Sequence, residues 1–401
     1  MKRIVISLAL FLLAFVFAGC LKPVSLDAYG YVITVAVDKG KEKEYYFTFA
    51  LQRELGGENV ESEGGAAALA CEGDTIFEAV SELEGNVPYS LNFSRTHFII
   101  MSRELAEEGA LRDFVMTSFD SLRIRPSALL LISEKEAGKF AGGLYSNNNA
   151  NITKLQTALA LDKEKTGMIS VNSISRLLED CTMMTGDFCS AYGAYDESII
   201  TDAEQKKNES EGESPLKDAE TGDRVGGLKS EIIGAAIFSG WKMTGALTRE
   251  ETMYLNMALG EFENGNLTVD LGGGKNATVL LEFVSRKVTA DPFSEGAVPV
   301  KSRIILAASP HLKDPDITDE ELDRFITNEL GGFVAERIGG VFEKCRAAGS
   351  DAMRFGTHAV KRFSTAREWE EYGWKEHIDR LEPVFEVTIV NTDKYYSEDM
   401  Q

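Results

Sequence analysis

The chain has 401 residues, 44% of them hydrophobic and 26% charged, which is typical of globular proteins and argues against an intrinsically disordered chain. Its formal net charge of −22 opposes binding to nucleic acid and to anionic lipid surfaces, since both carry negative charge themselves. The length allows two or three domains, each with its own hydrophobic core.

The first twenty residues have the pattern of a lipoprotein signal peptide. Lys2-Arg3 precedes an apolar run over residues 4–18, and Gly19-Cys20 follows it. As a helix this run would extend roughly 22 Å, short of the roughly 30 Å hydrocarbon core of a bilayer. We therefore expect residues 1–19 to be removed and Cys20 to carry the lipid that anchors the chain, because two or more acyl chains anchor a protein stably. A retained membrane-spanning helix and ordinary secretion with an incidental cysteine are the alternatives.

Residues 20–195 form the predicted N-terminal module, which we expect to contain two subdomains. Tyr31–Val37 and Tyr45–Leu51 are β-branched and aromatic runs that predict two strands joined by a turn at Asp38-Lys39-Gly40. The Gly-, Glu- and Ala-rich stretch Gly56–Gly73 predicts a mobile loop, and the apolar spacing over Thr75–Leu83 predicts a helix.

Two further buried strands are predicted in this module, each followed by a helix. His97–Met101 is the first, and Ser102 has the position of an N-cap for a short helix that Gly109 ends. Ala128–Ile132 is the second, and Ser133-x-x-Glu136 has the pattern of a capping box.

A change of composition marks the predicted boundary between modules. Residues 202–223 contain eight acidic and three basic residues and almost no large apolar ones. Such a segment cannot bury enough apolar surface to fold, so we predict a flexible acidic linker over residues 196–227.

Residues 228–401 form the predicted C-terminal module. Capping boxes indicate three helix starts, at Thr248-x-x-Glu251, Thr318-x-x-Glu321 and Thr365-x-x-Glu368. The apolar stripe after the second predicts one long helix over residues 319–345, interrupted by two glycine pairs that indicate either a kink or a close backbone neighbour. The predicted strands are Glu231–Ser239, Lys242–Ala246, Leu267–Leu271, Thr278–Ala290, Val298–Ala307 and Val384–Asn391. The whole pattern predicts a multi-domain α+β protein whose mixed, mostly antiparallel sheets are each packed with helices.

No residue pattern in the chain indicates catalysis, a cofactor or a metal. The four histidines, His97, His311, His358 and His377, lack the spacing of metal ligands. Gly272-Gly273-Gly274-Lys275 fails the phosphate-loop pattern and fits a hairpin turn better. The cysteines after Cys20 are scattered, and Cys181 and Cys189 could form a disulfide or be isolated buried thiols. We therefore predict no catalytic residue, no cofactor and no metal site.

Several segments together resemble the Ger(x)C, or GerAC-type, spore germination lipoproteins. In the N-terminal module these are Tyr29–Gly40, Gly73–Val80 and Ser94–Gly109; in the C-terminal module they include Gly234–Phe238, Gly245–Leu247, Gly349-Ser350-Asp351 and Val384–Asn391. The resemblance covers most of residues 20–395 and depends on the order of the segments with Cys20 in front of them.

The resemblance implies the C subunit of a nutrient germinant receptor. The family's partners are a membrane A subunit and an integral-membrane B subunit, and its location is the extracytoplasmic face of the spore inner membrane. It implies three domains, each a sheet with packed helices, and no catalytic residues. A solute-binding lipoprotein of a transporter is the first alternative, although it would show two doubly wound lobes; an exported hydrolase is the second.

Overall fold

A computed structural model of the protein describes residues 28–52, 67–119, 121–147, 152–183, 187–196 and 228–391. The predicted signal peptide 1–19 and the lipidation site Cys20 lie outside these residues. So do positions 197–227 of the predicted acidic linker and the beginning of the predicted loop 56–73.

The N-terminal half alternates strands with helices. Its strands are β1 Tyr29–Lys39, β2 Tyr45–Leu51, β3 Ala67–Gly73, β4 Ser90–Asn92, β5 Phe98–Ser102, β6 Leu129–Ser133, β7 Asn172–Ser173 and β8 Cys189–Tyr195. Its helices are α1 Ile76–Glu84, α2 Arg103–Glu108, α3 Leu111–Ser118, α4 Ala137–Asn147, α5 Ile152–Thr166 and α6 Ile174–Met183.

The C-terminal half begins with a hairpin and ends with a strand. Its strands are β9 Ser230–Ser239, β10 Lys242–Thr248, β11 Asn264–Asp270, β12 Asn276–Ala290, β13 Val298–Lys313 and β14 Leu381–Asn391. Its helices are α7 Arg249–Leu259, α8 Asp319–Asn328, α9 Leu330–Ala347, α10 Gly356–Ala359 and α11 Ala366–Tyr372, with 3₁₀ turns at Val360–Arg362 and Trp374–Arg380.

The first sheet contains strands from both halves. Its order is β10-β9-β8-β6-β5-β1-β2-β3, with β4 beside β1 and β7 beside β6. The four central strands β8, β6, β5 and β1 are parallel, because the connections between them cross the sheet through helices. The outer pairs are antiparallel, and β8 pairs with β9 across the position of the predicted linker.

Both faces of this sheet are covered, which explains why its central strands are apolar throughout. All five residues of β5 and all five of β6 are buried. Side chains of α1, α2, α3 and α6 form a core on one face with Phe47, Phe49 and Phe114. Side chains of α4 and α5 form a core on the other face with Phe98 and Phe140.

The second sheet has the order β11-β12-β13-β14, antiparallel except for the last pair. Helices α7, α8 and α9 supply its core together with Trp369 and Trp374. The described residues thus form two helix-packed sheets, which confirms the predicted multi-domain α+β class; the three separate sheets implied by the resemblance are not seen in this part of the chain.

Local capping patterns account for three of the predicted helix starts. The side chains of Thr248 and Thr318 each accept a hydrogen bond from the backbone N–H of the glutamate three residues on, and the carboxylate of that glutamate accepts one from the threonine N–H. Thr365 likewise accepts from Glu368 N. These three predicted starts are confirmed.

Three local predictions were wrong. Residues 67–73 of the predicted loop form β3, which pairs with β2 along its whole length. Ser133 does not cap α4: its hydroxyl donates to Glu136 O at 3.3 Å, while Asp38 caps the helix. The predicted helix 319–345 is broken at Glu329, whose φ of −116° separates α8 from α9.

One member of the glycine pairs in α9 has a close backbone neighbour. A Cβ on Gly331 would lie 2.7 Å from Val387 O of β14, whereas one on Gly332 would meet nothing within 4 Å. Gly331 therefore permits α9 to pack directly on the edge strand.

Candidate functional site: the junction of the two halves

Beside the pairing of β8 with β9, the two halves of the chain are joined by a pair of buried aspartates. Asp187, directly before β8, and Asp351, after α9, are only 2% and 3% exposed. Asp187 N donates to Asp351 O at 3.3 Å, and Asp351 N donates to Asp187 Oδ2 at 2.9 Å. These reciprocal bonds fix the start of β8 against the segment that follows α9.

The Asp351 carboxylate accepts hydrogen bonds from three N–H groups. Its Oδ1 accepts from Phe355 N at 2.8 Å, and its Oδ2 accepts from Gly356 N at 2.7 Å and Trp374 Nε1 at 2.8 Å. Burial raises the pKa of Asp351 to about 7, while these three donors act in the opposite direction by stabilising the ionised form. One side chain therefore ties together the start of α10 and the 3₁₀ turn that carries Trp374.

Asp187 extends the network to the hairpin between β9 and β10. Its Oδ1 accepts from Gly240 N at 2.6 Å and from Lys375 Nζ at 2.8 Å. The first bond holds the turn of the hairpin, and the second is a charge pair that offsets the cost of burying the carboxylate. The aspartate thus bonds to three separate segments of the C-terminal half.

A second cluster of ion pairs lies beside the aspartates. Asp180 of α6 pairs with Arg354 and, at 3.3 Å, with Arg176. Burial raises the pKa of Asp180 to about 6, against the opposing effect of Arg176. Arg354 has a φ of 60°, a conformation that residues other than glycine adopt uncommonly. Its backbone N donates to Asp351 O at 2.8 Å, so the aspartate and arginine clusters share one turn.

A groove of about 820 Å³ borders this second cluster, between α5 and the segment after α7. Glu261 lies in its wall and pairs with Lys163 at 2.8 Å and with Arg176 at 3.6 Å. The charges that line this part of the groove are therefore neutralised by one another.

The residues singled out from the sequence are not brought together. His97 Nδ1 contacts Gln156 Oε1 at 2.6 Å, His311 is exposed on β13, and His377 stacks on Tyr372 with 4.1 Å between ring centroids. Burial lowers the pKa of His358 to about 4. Within the described ranges, no group of three or more His, Cys, Asp or Glu side chains could hold a metal ion.

The cysteines of the described residues, Cys71, Cys181, Cys189 and Cys345, are all free, so Cys181 and Cys189 form no disulfide. Burial raises the pKa of the Cys181 and Cys345 thiols to about 12, which keeps them protonated and poorly nucleophilic. Gly272, Gly273 and Gly274 all have positive φ in the turn between β11 and β12, which confirms the hairpin.

Sequence reasoning missed the buried aspartates because acidic residues are abundant in this chain. Asp351 does stand in Gly349-Ser350-Asp351, one of the segments that carry the family resemblance. The neighbouring Ser350 is also buried, and its hydroxyl donates to Phe238 O at 2.6 Å. The pair Ser350-Asp351 in that segment was therefore the sequence feature that could have indicated this junction.

The two halves of the chain thus share the first sheet through the pairing of β8 with β9, and buried carboxylates join that sheet to the segments around the second. Two family models match the chain: "Spore germination protein N-terminal domain" over residues 23–192 and "Spore germination B3/ GerAC like, C-terminal" over residues 233–392. The chain belongs to the GerAC-type spore germination protein family.

The fold agrees with that of a solved relative. The crystal structure of the GerBC protein aligns with 89% of this chain and 96% of its own, at 15% sequence identity and a TM-score of 0.52. No curated protein matches the chain. Among the residues that the structure describes, no helix is long and apolar enough to cross a membrane.

Proposed function

We propose that the chain is the lipid-anchored, extracytoplasmic subunit of a nutrient germinant receptor, acting in spore germination as a non-catalytic scaffold and signalling component. The observation that carries this proposal is that both halves match the GerAC-type family in order. Cys20, the proposed acylation site, stands in front of them at the end of an apolar segment. The partners would be the receptor's A and B membrane subunits, at the spore inner membrane.

A lipid on Cys20 would supply a membrane attachment that the charge of the chain does not. A net charge of −22 repels anionic headgroups, so the folded part gains no general electrostatic attraction to such a membrane. Two acyl chains on Cys20 would supply stable attachment by burying hydrocarbon alone.

The junction suits a scaffold that transmits contacts between its halves. Asp351 and Asp187 bond to separate segments on both sides of the junction and are almost fully enclosed. Their N–H and ammonium partners occupy the positions that a substrate would need, which favours a structural role over a catalytic one. A displacement of one half would therefore be transmitted to the other through the hydrogen bonds of Asp187 and Asp351.

The test replaces the anchor and leaves the fold alone. Cys20→Ala should release the protein from spore membranes into the soluble fraction and impair nutrient-triggered germination, with co-purification of the A and B subunits reduced. Cys71→Ala is the matched control, since it removes a thiol from β3 and should leave membrane attachment unchanged. Normal membrane retention together with normal germination in the Cys20→Ala strain would refute the proposal.

A further inference from the structure

A crevice of about 380 Å³ lies at the carboxyl ends of the parallel strands β1, β5 and β6. The register places Val37 beside Met101 and Met101 beside Ile132, so the next residues, Asp38, Ser102 and Ser133, form a row across the three strand ends. In open sheets with helices on both faces, ligands bind outside the carboxyl ends of the strands, where the connections of neighbouring strands leave to opposite faces.

The strands β5 and β6 meet this condition. The chain after β5 enters α2, whose Leu105 and Ala106 belong to the core on one face. The chain after β6 enters α4, whose Ala137 and Phe140 belong to the core on the other face. The two connections diverge, and the crevice opens between them.

Ser102 gives an independent indication of a ligand. Ser102 lines the crevice and is only 5% exposed, yet its hydroxyl has no hydrogen-bond partner among the residues that the structure describes. It occupies the N-cap position of α2 without capping the helix through its side chain. A buried hydroxyl left without a partner costs about 1–3 kcal/mol, and a polar group of a ligand beside Ser102 would remove that cost.

The charged residues around Ser102 indicate which charge a ligand in the crevice would carry. The crevice is lined by Asp38, Glu104, Glu134 and Glu136, and by two lysines, Lys39 and Lys135. This gives four carboxylates against two ammonium groups, a net charge of −2.

Some of these charges are already paired outside the crevice. Lys39 pairs with Glu108, and Glu136 pairs with Lys139 at 3.4 Å. Glu104 and Glu134 form no ion pair with any residue that the structure describes.

Asp38 is held rigidly at the back of the crevice. Its Oδ1 accepts from Ala137 N at 2.6 Å and its Oδ2 from Gly138 N at 2.9 Å, which caps α4. Each oxygen retains a further lone pair. Burial raises the pKa of Asp38, and the carboxylates of Glu136 and Glu104 add to this effect, so a cation between them would relieve their mutual repulsion.

We propose that this crevice binds a small organic dication, a compound with two protonated amines. The charge of the dication balances the net charge of −2 on the crevice lining. Its N–H groups can donate hydrogen bonds to the Ser102 hydroxyl and to the carboxylates of Glu104 and Glu134. A bare metal ion fits less well, because no three acidic side chains in the described ranges converge as metal ligands and the volume exceeds that of an ion. This inference goes beyond the proposed anchoring and scaffold role and does not depend on it.

Titration calorimetry on the full chain in detergent tests the proposal, with 1,4-diaminobutane as the probe at constant ionic strength. We expect one site per chain and about a tenfold or greater loss of affinity in the double variant Glu104→Gln, Glu134→Gln. Ser102→Ala should also weaken binding while its melting temperature stays near that of the unaltered chain. Glu370→Gln, which removes an exposed carboxylate from α11, is the matched control and should bind as the unaltered chain does.

Three results would overturn the proposal. Equal affinity in the double variant would show that the diamine binds the acidic surface in general. Binding of succinate, similar in size and opposite in charge, with the same affinity would show that the crevice does not select for cations. Saturation by Mg²⁺ with no measurable binding of the diamine would assign the crevice to a metal ion.

Discussion

Replacement of Asp351 by Asn tests whether the buried carboxylate holds the junction together. The amide has one acceptor oxygen in place of two. If that oxygen takes the position of Oδ2, the bonds from Gly356 N and Trp374 Nε1 survive, and the amide NH₂ then faces Phe355 N, a second donor. One charge-assisted bond is lost, worth about 1.5–3 kcal/mol, and a buried N–H is left without an acceptor, so we expect a loss of about 3 kcal/mol.

Urea denaturation followed by tryptophan fluorescence measures this loss directly. The chain has three tryptophans, and all lie near the junction: Trp374 bonds to Asp351, Trp369 stacks on Trp374 with 5.6 Å between centroids, and Trp241 follows Gly240 in the β9–β10 hairpin. The transition midpoint of Asp351→Asn should fall well below that of the unaltered chain. The control is Asp379→Asn, an exposed aspartate in the last 3₁₀ turn. Equal midpoints for Asp351→Asn and the unaltered chain, or an equal decrease in the control, would refute the reasoning.

Two further predictions concern packing and pH. Gly331→Ala should lower the free energy of unfolding by about 1–3 kcal/mol, because its Cβ would collide with Val387 O. Gly332→Ala should raise it by up to about 1 kcal/mol, because its Cβ would meet nothing and alanine favours the helix. Thermal melts compare the two variants, and equal effects would contradict the close approach of α9 to β14. His358, whose pKa is lowered to about 4 by burial with Arg286 and Lys361 nearby, stays neutral in the folded chain while the unfolded chain takes up a proton below about pH 6.5. The contribution of His358 to stability therefore decreases as pH falls from about 6.5 to 4. The difference in melting temperature between His358→Gln and the unaltered chain should shift in favour of the variant between pH 7 and pH 5; the same difference at both pH values would refute the assignment.

Structural features that depend on residues close together in the chain could be predicted from the sequence. Thr248, Thr318 and Thr365 cap helices through glutamates three residues away, and all three helix starts are where these patterns place them. The break at Glu329 could not be predicted in the same way, because the apolar stripe continues through it and contact with β14 determines the direction of α9.

Contacts between residues far apart in the chain could not be predicted from the sequence. Asp38 was interpreted as a turn residue, yet it caps α4 through bonds to residues 99 and 100 positions further on. Asp187 and Asp351 are 164 positions apart, and neither has a local pattern that distinguishes it among 64 acidic residues. Only the folded topology brings such groups together, so both the junction and the crevice needed the structure.

The pairing of β8 with β9 has a consequence for the segment between them. Asp196 N donates to Lys229 O at 3.0 Å, so both ends of residues 197–228 are fixed at one edge of the same ladder. When the two flanking residues of a segment are held together, each doubling of the segment's length costs only about 0.6 kcal/mol in closure entropy. Its length and sequence can therefore diverge among related proteins while the sheet beneath it keeps its register.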